Sequence, residues 1–340
     1  MIRTLILLLL PVAAQAETIR VATYNTELSR DGPGLLLRDI QRDNPQVTAV
    51  VEVLSQTRPD IIALQGIDWD LDELALSNLA GALAKVGMDY PYQFSEQPNS
   101  GLETAFDLDG DGLTHGPRDA QGWGRFTGQG GLAVLSRYPI DLAATKTYSD
   151  LLWRELPDAI LPNVDGSPFP SLQAQTVQRL SSTGHWVVPI LTPGGPLSLM
   201  TFHATPPVFD GPEDRNGLRN RDEIRFWSLL LDGEFGSGPT NRFVIAGDAN
   251  LDPNLGDGHK TAIQELLSNP RIQDPQPVDQ QGSSTTVFWE GIGERRVDYV
   301  LPSADWTVAD SGVYWPGAGQ GKAARTASRH RLVWVDLSID

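Results

Sequence analysis

The spacing of apolar residues in the first part of the chain predicts strands and helices in alternation. Apolar and polar positions alternate from residue 18 to 24, which is typical of a strand. Asn44 followed by Pro45 marks a helix start, because proline has no N–H to lose at the first helical position. The predicted elements are a strand over residues 18–24, a helix from Pro45 to before Pro59, a strand over 60–65 and a helix from Asp70 through Leu83.

Further along the chain, short apolar runs follow one another and indicate antiparallel sheet. Strands are predicted over residues 131–137, 173–180, 185–191, 197–203, 242–246, 285–288, 296–301, 306–313 and 332–337, and helices over 221–231 and 260–267. Glycine and aspartate dominate residues 98–130, which predicts a long surface insertion, and prolines mark a second loop over 157–170. Neither a repeat nor a linker divides the sequence, so we expect a single domain over residues 17–340.

The N-terminal residues have the pattern of an export signal. Arg3 supplies the basic start, residues 5–10 the apolar run, and Ala14-Gln15-Ala16 the small-x-small cleavage site. We therefore expect a cleaved signal peptide over residues 1–16 and a secreted or periplasmic protein. No later stretch reaches the roughly 18 consecutive apolar residues that a membrane helix requires.

Composition excludes some kinds of chemistry. The chain of 340 residues contains no cysteine, which rules out disulfides, thiolate catalysis and cysteine-bound zinc. Its formal net charge of −17 would repel a polyanion over most of the surface. This charge weighs against a nucleic-acid substrate, although a locally basic or metal-filled cleft could still bind one.

Candidate chemistry begins with the segment Gly247-Asp248-Ala249-Asn250, which follows a strand that the pattern predicts to be buried. An Asp-x-Asn pair at a strand end points both polar side chains to the same side. One could hold a metal or orient water while the other donates to a phosphoryl oxygen. The same residues are equally typical of a turn, so this segment alone decides nothing.

Other motifs accompany this segment in a fixed order along the chain. They are Tyr24-Asn25, Gly131 to Arg137, Thr201-Phe202-His203, Gly247 to Asn250, Arg296 to Leu301, and Ser328-Arg329-His330-Arg331. This order resembles the endonuclease/exonuclease/phosphatase family, which includes DNase I-like enzymes. The resemblance implies an α+β fold, a four-layer α/β/β/α sandwich of two mixed, mainly antiparallel sheets packed face to face with helices outside. It also implies a phosphoester hydrolase that depends on Mg²⁺ or Mn²⁺.

The resemblance gives each matching residue a role. His330 would be the base that activates water, and Asp298 would accept its other ring proton. His203 would act as an acid or stabilise the transition state. Metal and phosphoryl oxygens would be held by Asn25, Asp248 and Asn250. The ordinary alternatives are a strand-end histidine bonded to a loop carbonyl, and Asp298 as a salt-bridge partner of Arg295 or Arg296.

Two positions depart from the family pattern. Gly66 stands where most relatives have the principal metal glutamate, and Arg329 stands where they usually have an aspartate. If the strand continued to Asp68, that residue would face the same side as position 66, so we predict that it supplies the missing carboxylate. Arg329 cannot bind a cation but could clamp a substrate phosphate. Loss of two carboxylates weakens the metal site, and a non-catalytic member of the family remains an alternative.

Two charged clusters are also candidates for binding. Asp107, Asp109 and Asp111 match the start of a calcium loop, but Arg118 stands where the bidentate glutamate belongs, and a solvated acidic turn is the alternative. A cluster of arginines after His203 would either line a phosphate pocket or form salt bridges on a helix face; it comprises Arg215, Arg219, Arg221 and Arg225.

Together these features predict an exported, metal-dependent phosphoester hydrolase that acts as a monomer. The acidic surface favours small phosphoesters or lipid head groups as substrates, with a secreted DNA or RNA endonuclease as the alternative. A module that binds a phosphorylated ligand or a partner without hydrolysis is the third possibility.

Overall fold

The structure, a computed structural model, describes residues 17–317 and 321–339. The predicted signal peptide lies outside these residues. Within them the strands are β1 (Glu17–Leu28), β2 (Ile61–Ile67), β3 (Tyr92–Phe94), β4 (Gly131–Ser136), β5 (Lys146–Thr147), β6 (Asn163–Val164), β7 (Ser167–Pro168), β8 (His185–Thr192), β9 (Gly195–His203), β10 (Phe243–Asp248), β11 (Val287–Trp289), β12 (Gly293–Arg295), β13 (Asp298–Pro302), β14 (Val308–Tyr314) and β15 (Leu332–Ile339). The α-helices are α1 (Leu35–Gln41), α2 (Pro45–Thr57), α3 (Leu74–Lys85), α4 (Leu172–Val177), α5 (Arg215–Asp232), α6 (Thr261–Leu267) and α7 (Lys322–Ala327).

Most strands belong to two mixed sheets. One has six strands in the order β14-β15-β1-β2-β4-β3, and the other has five in the order β13-β10-β9-β8-β5. The pairs β1/β2 and β9/β10 are parallel, whereas the remaining pairs in both sheets are antiparallel. The short pairs β6/β7 and β11/β12 form separate hairpins.

The two sheets pack face to face because their strands bury both faces. Along β1, Val21 points into the space between the sheets while Ala22 packs on the outer side. The core between the sheets includes Ile19, Val21, Val134, Val188, Leu199, Val244 and Val335. Strands covered on both sides need apolar residues at successive positions, which explains their continuous apolar runs.

Helices cover both outer faces. Leu54 of α2 and Leu79 of α3 pack on the six-stranded sheet, and α7 lies beside α2. On the five-stranded sheet, Trp227 of α5 and Ile263 of α6 pack in the same cluster as Phe202. The predicted four-layer α+β sandwich is therefore confirmed. Within the described residues, no helix is both long enough and apolar enough to cross a bilayer.

Several predicted elements need correction. Residues 173–180, predicted as a strand, contain helix α4, because the Ser171 side chain caps it by accepting the N–H of Ala174 at 3.1 Å. Helix α5 begins at Arg215, six residues before its predicted start. Helices α1 and α7 and strands β3, β5 and β12 were missed, and the predicted loop over residues 157–170 contains the short hairpin of β6 and β7. Residues 98–130 contain neither helix nor strand, as predicted.

Candidate active site

Five of the predicted site residues lie at one end of the sandwich. Asn25 lies in the C-terminal part of β1, and His203 and Asp248 end the parallel strands β9 and β10. In the register, Asp248 is opposite His203 on one side and Asp298, the first residue of antiparallel β13, on the other. His330 lies two residues before the start of β15. Strand direction thus brings residues from distant parts of the sequence together.

The carboxylate of Asp248 is the centre of this group. Its Oδ2 accepts a hydrogen bond of 2.9 Å from Nδ2 of Asn25, which crosses from one sheet to the other. Its Oδ1 accepts the backbone N–H of Asn250 at 2.8 Å, and Nε2 of His203 lies 3.4 Å from Oδ2. Asp248 is fully buried, so these donors replace the water that an exposed carboxylate would bind.

His330 is held by a second buried carboxylate. Its Nδ1 lies 3.0 Å from Oδ2 of Asp298, and the Trp289 ring packs edge-on against the imidazole. Because Nδ1 is engaged, Nε2 is the ring nitrogen left for chemistry. Arg296 forms an ion pair with Asp274 at 2.6 Å, and Nη1 of Arg295 donates to the carbonyl oxygen of Glu294 at 2.7 Å. Asp298 therefore contacts His330, and the alternative salt bridge to Arg295 or Arg296 is not among its described contacts.

The two histidines differ in charge. Burial would lower the pKa of His330, but Asp298 and Asp248 outweigh it and raise the pKa to about 9. Burial lowers the pKa of His203, and the nearby Asp248 offsets this only in part. At neutral pH, His330 is therefore cationic and His203 neutral in this arrangement. Paired groups with pKa values driven apart are typical of acid–base sites.

These residues open onto a cleft with two lobes. The first lobe has a volume of about 760 Å³ and is lined by residues such as Ser100, Arg118, Trp123, Phe209, Arg215 and Arg219. The second lobe has a volume of about 580 Å³ and is lined by residues such as Asn250, Leu255, Trp289, Ile292 and His330. Both lobes are lined by Asn25, Glu27, His203 and Arg329, which we call the dividing wall.

Glu27 is a residue of this site that the sequence patterns did not indicate. Its Oε1 accepts Nε of Arg329 at 2.6 Å, and its Oε2 accepts the backbone N–H of Arg329 at 2.7 Å and the hydroxyl of Ser328 at 3.1 Å. The predicted phosphate clamp, Arg329, is thus ion-paired with a carboxylate at the cleft. The only sequence signal for Glu27 is its position two residues after Asn25.

Asp68 does not join the predicted metal ligands. Strand β2 has a bulge at Gly66, whose φ is +65°, and ends at Ile67, so the expected alternation of faces does not continue to residue 68. The Asp68 carboxylate accepts the backbone N–H groups of Arg30 and Gly130, each at 2.9 Å. It lies outside the described lining of both lobes. These positions remove the geometric reason for choosing Asp68.

Asn250 lies at the predicted site, but its side-chain amide already forms one hydrogen bond within the protein. Its Nδ2 donates to the carbonyl oxygen of Ala204 at 2.9 Å, and its side chain lines the second lobe. An amide nitrogen carries two hydrogens, so one remains for a ligand in the cleft.

The acidic cluster in the structure contains Asp119 in place of Asp111, which was predicted for the calcium loop. Ligand atoms of Asp107, Asp109 and Asp119 lie within 4.8 Å of one another, whereas Oδ1 of Asp111 accepts the N–H of Leu113 at 2.7 Å. The Asp107 carboxylate already accepts three backbone N–H groups of its own loop. This network of local hydrogen bonds matches the acidic-turn alternative.

The four arginines divide into two pairs. Arg221 and Arg225 form ion pairs with Asp222, as expected of charged residues close together on one helix. Arg215 and Arg219 line the first lobe. Arg219 is buried, and its guanidinium donates to backbone carbonyl groups of residues 121, 179, 180 and 181.

The fold and this geometry define a class of protein, and sequence comparison agrees. The chain belongs to the Endonuclease/Exonuclease/phosphatase family, whose sequence model matches residues 22–330. Members of this family are generally metal-dependent phosphoester hydrolases. A search of curated proteins gave no significant match.

Solved structures of low sequence identity share the fold. An endonuclease/exonuclease/phosphatase from Beutenbergia cavernae matches with a TM-score of 0.58 and 18% identity, over 94% of this chain and 71% of that one. Sphingomyelinase C from Streptomyces griseocarneus matches with a TM-score of 0.52 and 17% identity, over 94% and 99%. Beta toxin from Staphylococcus aureus, with bound magnesium ions, matches with a TM-score of 0.52 and 12% identity, over 95% and 100%.

Proposed function

We propose that the protein is an exported, divalent-metal-dependent phosphoester hydrolase in which His330 activates the attacking water. The observation that carries this proposal is the buried His330–Asp298 pair beside Asp248, with His330 lining the second lobe of the cleft. Asp298 fixes the imidazole so that Nε2 can take a proton from water. His203, neutral and 3.4 Å from Asp248, would stabilise the phosphoryl group from the dividing wall.

The residues present fit a hard divalent cation. Asp248 supplies a buried carboxylate and Asn25 an amide beside it, and both are ligand types of such cations, whereas Asp298 and His330 stay paired with each other for proton transfer. Magnesium is a candidate, since beta toxin from Staphylococcus aureus has this fold and bound magnesium ions; manganese has similar ligand preferences. A bound cation stabilises negative charge on the phosphoryl oxygens. It would also offset the Asp248 charge and so lower the pKa of His330 towards the range of a base.

We favour a small phosphoester or a lipid head group as the substrate. The chain carries a formal net charge of −17, which opposes binding of a long polyanion. The cleft has two lobes, and the exposed aromatic ring of Trp123 lines the first while that of Phe209 lines both. Such a shape suits a ligand with an organic substituent on the phosphate.

The test is hydrolysis of bis-p-nitrophenyl phosphate and p-nitrophenyl phosphate by the mature chain, with Mg²⁺, Mn²⁺, Ca²⁺ or EDTA. Release that requires metal and disappears in His330→Ala supports the proposal, and the ratio of diester to monoester hydrolysis narrows the substrate class. Plasmid cleavage at low salt would instead favour the endonuclease alternative.

A non-catalytic binding module is the second candidate, because Gly66 and Arg329 replace two acidic residues of the family pattern. Folded protein that releases no nitrophenol with any metal, yet gains melting temperature from inorganic phosphate, would establish this second function.

A further inference from the structure

The two departures from the family pattern lie beside the same segment of β1. A Cβ atom added to Gly66 would lie 2.5 Å from Oδ1 of Asn25 and 3.2 Å from the backbone nitrogen of Glu27. A side chain at position 66 would therefore displace the Asn25 side chain. Arg329, the other departure, forms an ion pair with the carboxylate of Glu27. Glu27 thus holds Arg329 and lies next to position 66.

We propose that Glu27 is the carboxylate with which this site binds its divalent cation, and that Arg329 is a displaceable counter-ion that leaves Glu27 for the substrate phosphate when the cation binds. The inference rests on the proposed function, since it assigns residues to the cation of that site.

The hydrogen bonds of Glu27 divide between a fixed and an exchangeable oxygen. Oε2 is held by the backbone N–H of Arg329 at 2.7 Å and by Ser328 Oγ at 3.1 Å. In the described residues, the hydrogen bonds to Oε1 come only from the guanidinium of Arg329. The side chain of Arg329 is 64% exposed and that of Glu27 is 22% exposed. Arg329 can therefore swing away without moving the carboxylate.

Position and charge support the exchange. Glu27 lines both lobes together with Asn25 and His203, and its backbone N–H donates to Oδ1 of Asn25 at 3.2 Å. A guanidinium released from Glu27 stays within the dividing wall, where its planar fork suits a phosphate.

The test is to titrate the full mature chain with Mn²⁺ in the absence of substrate. The Mn²⁺ affinity is measured by isothermal calorimetry or by electron paramagnetic resonance of free Mn²⁺. We expect Glu27→Gln to weaken Mn²⁺ binding by about 10- to 100-fold. Arg329→Gln removes the competing cation, so it should tighten Mn²⁺ binding while weakening the binding of inorganic phosphate. If the Glu27–Arg329 ion pair only supported the fold, the two substitutions would not change the Mn²⁺ affinity in opposite directions.

Two controls make the result decisive. Asp232→Asn breaks the surface ion pair with Arg271 and should leave Mn²⁺ affinity unchanged. Glu27→Asp keeps a carboxylate and should fall between wild type and Glu27→Gln, provided that circular dichroism shows all variants folded. Wild-type affinity in Glu27→Gln, weaker Mn²⁺ binding in Arg329→Gln, or loss of affinity in Asp68→Asn in place of Glu27→Gln would overturn the inference. Because the readout is binding, absence of hydrolysis would contradict only the proposed function.

Discussion

Asn25 and Asp248 join the two sheets at the end of the sandwich that carries the cleft, through a 2.9 Å hydrogen bond from Nδ2 to Oδ2. One residue comes from the six-stranded sheet and the other from the five-stranded sheet. The relative position of the sheets and the geometry of the candidate cation site are therefore set by the same bond.

Asn25→Asp would place two carboxylates at this contact. Repulsion and the lost donor should lower stability in EDTA by about 1–3 kcal/mol. Added Mn²⁺ should then raise the melting temperature of this variant more than that of wild type, because the cation neutralises the pair. Thermal melts with and without Mn²⁺ measure both effects. Asn25→Ala is the control, and an equal response of the two variants would contradict the prediction.

His330→Ala should lower kcat by about 10²- to 10⁴-fold, the usual contribution of a positioned acid or base. His259 provides a matched control, because its Nε2 lies 2.7 Å from Oδ2 of Asp214 in a more exposed pair. His259→Ala should retain wild-type kcat. Steady-state kinetics with bis-p-nitrophenyl phosphate compare the two, and equal losses would show that His330 has no special role.

Trp123 and Phe209 should bind the aryl group of a diester. Their side chains are 56% and 75% exposed and line the first lobe. Replacement of either by alanine should raise KM for bis-p-nitrophenyl phosphate by about two- to tenfold, with little change in kcat. Leu142→Ala removes an exposed apolar side chain from outside the described lining of both lobes and serves as the control. An unchanged KM in both aromatic variants would place the aryl group elsewhere.

Stability should fall in acid because of His185. Its Nε2 donates to the carbonyl oxygen of Glu223 at 2.9 Å, and burial lowers its pKa from 6.5 to about 3. In the unfolded chain His185 is therefore protonated as the pH falls below about 6.5, whereas in the folded chain it stays neutral down to about pH 3. This difference in pKa should lower the free energy of unfolding by about 2 kcal/mol between pH 7 and pH 5.

His185→Phe removes that proton and keeps an aromatic ring beside Phe202, Phe226 and Trp227. Urea unfolding at pH 7, 6 and 5 measures the free energy of unfolding of both proteins. The variant should lose less stability than wild type as the pH falls. Parallel profiles would show that His185 does not cause the acid sensitivity.

The sequence predicted the fold well where local patterns agree with burial. Strands such as β10 are short apolar runs that end in polar residues, so their positions and the residues at their ends could be predicted. Residues 173–180 were misassigned because a six-residue helix is too short to show helical periodicity, and its start depends on the Ser171 cap. Helix α1 was missed because Gly32-Pro33-Gly34 before it indicates a turn and no side chain caps its start.

The candidate site was predictable where family motifs or strand ends carry it. The resemblance gave Asn25 and His330, and Asp248, His203 and Asp298 also follow from strand direction and register. Glu27 does not, because it depends on its own φ of +49° and on the bulge at Gly66 in a neighbouring strand. Asp68 was expected to face the same side as position 66, but side chains alternate between faces only in a regular strand, and β2 has a bulge at Gly66. Long-range backbone irregularities of this kind leave no periodic signal in a sequence.

The dividing wall has a consequence for how such an enzyme could diversify. A phosphodiester held at the wall would extend one substituent into each lobe, where different loops contact it. The first lobe includes residues of the 98–130 insertion, and the second includes residues 289–295 around the β11/β12 hairpin. Changes in one loop would alter preference for one half of the substrate and leave the other half untouched. In a hydrolase built this way, leaving-group specificity and retained-group specificity would be separable traits.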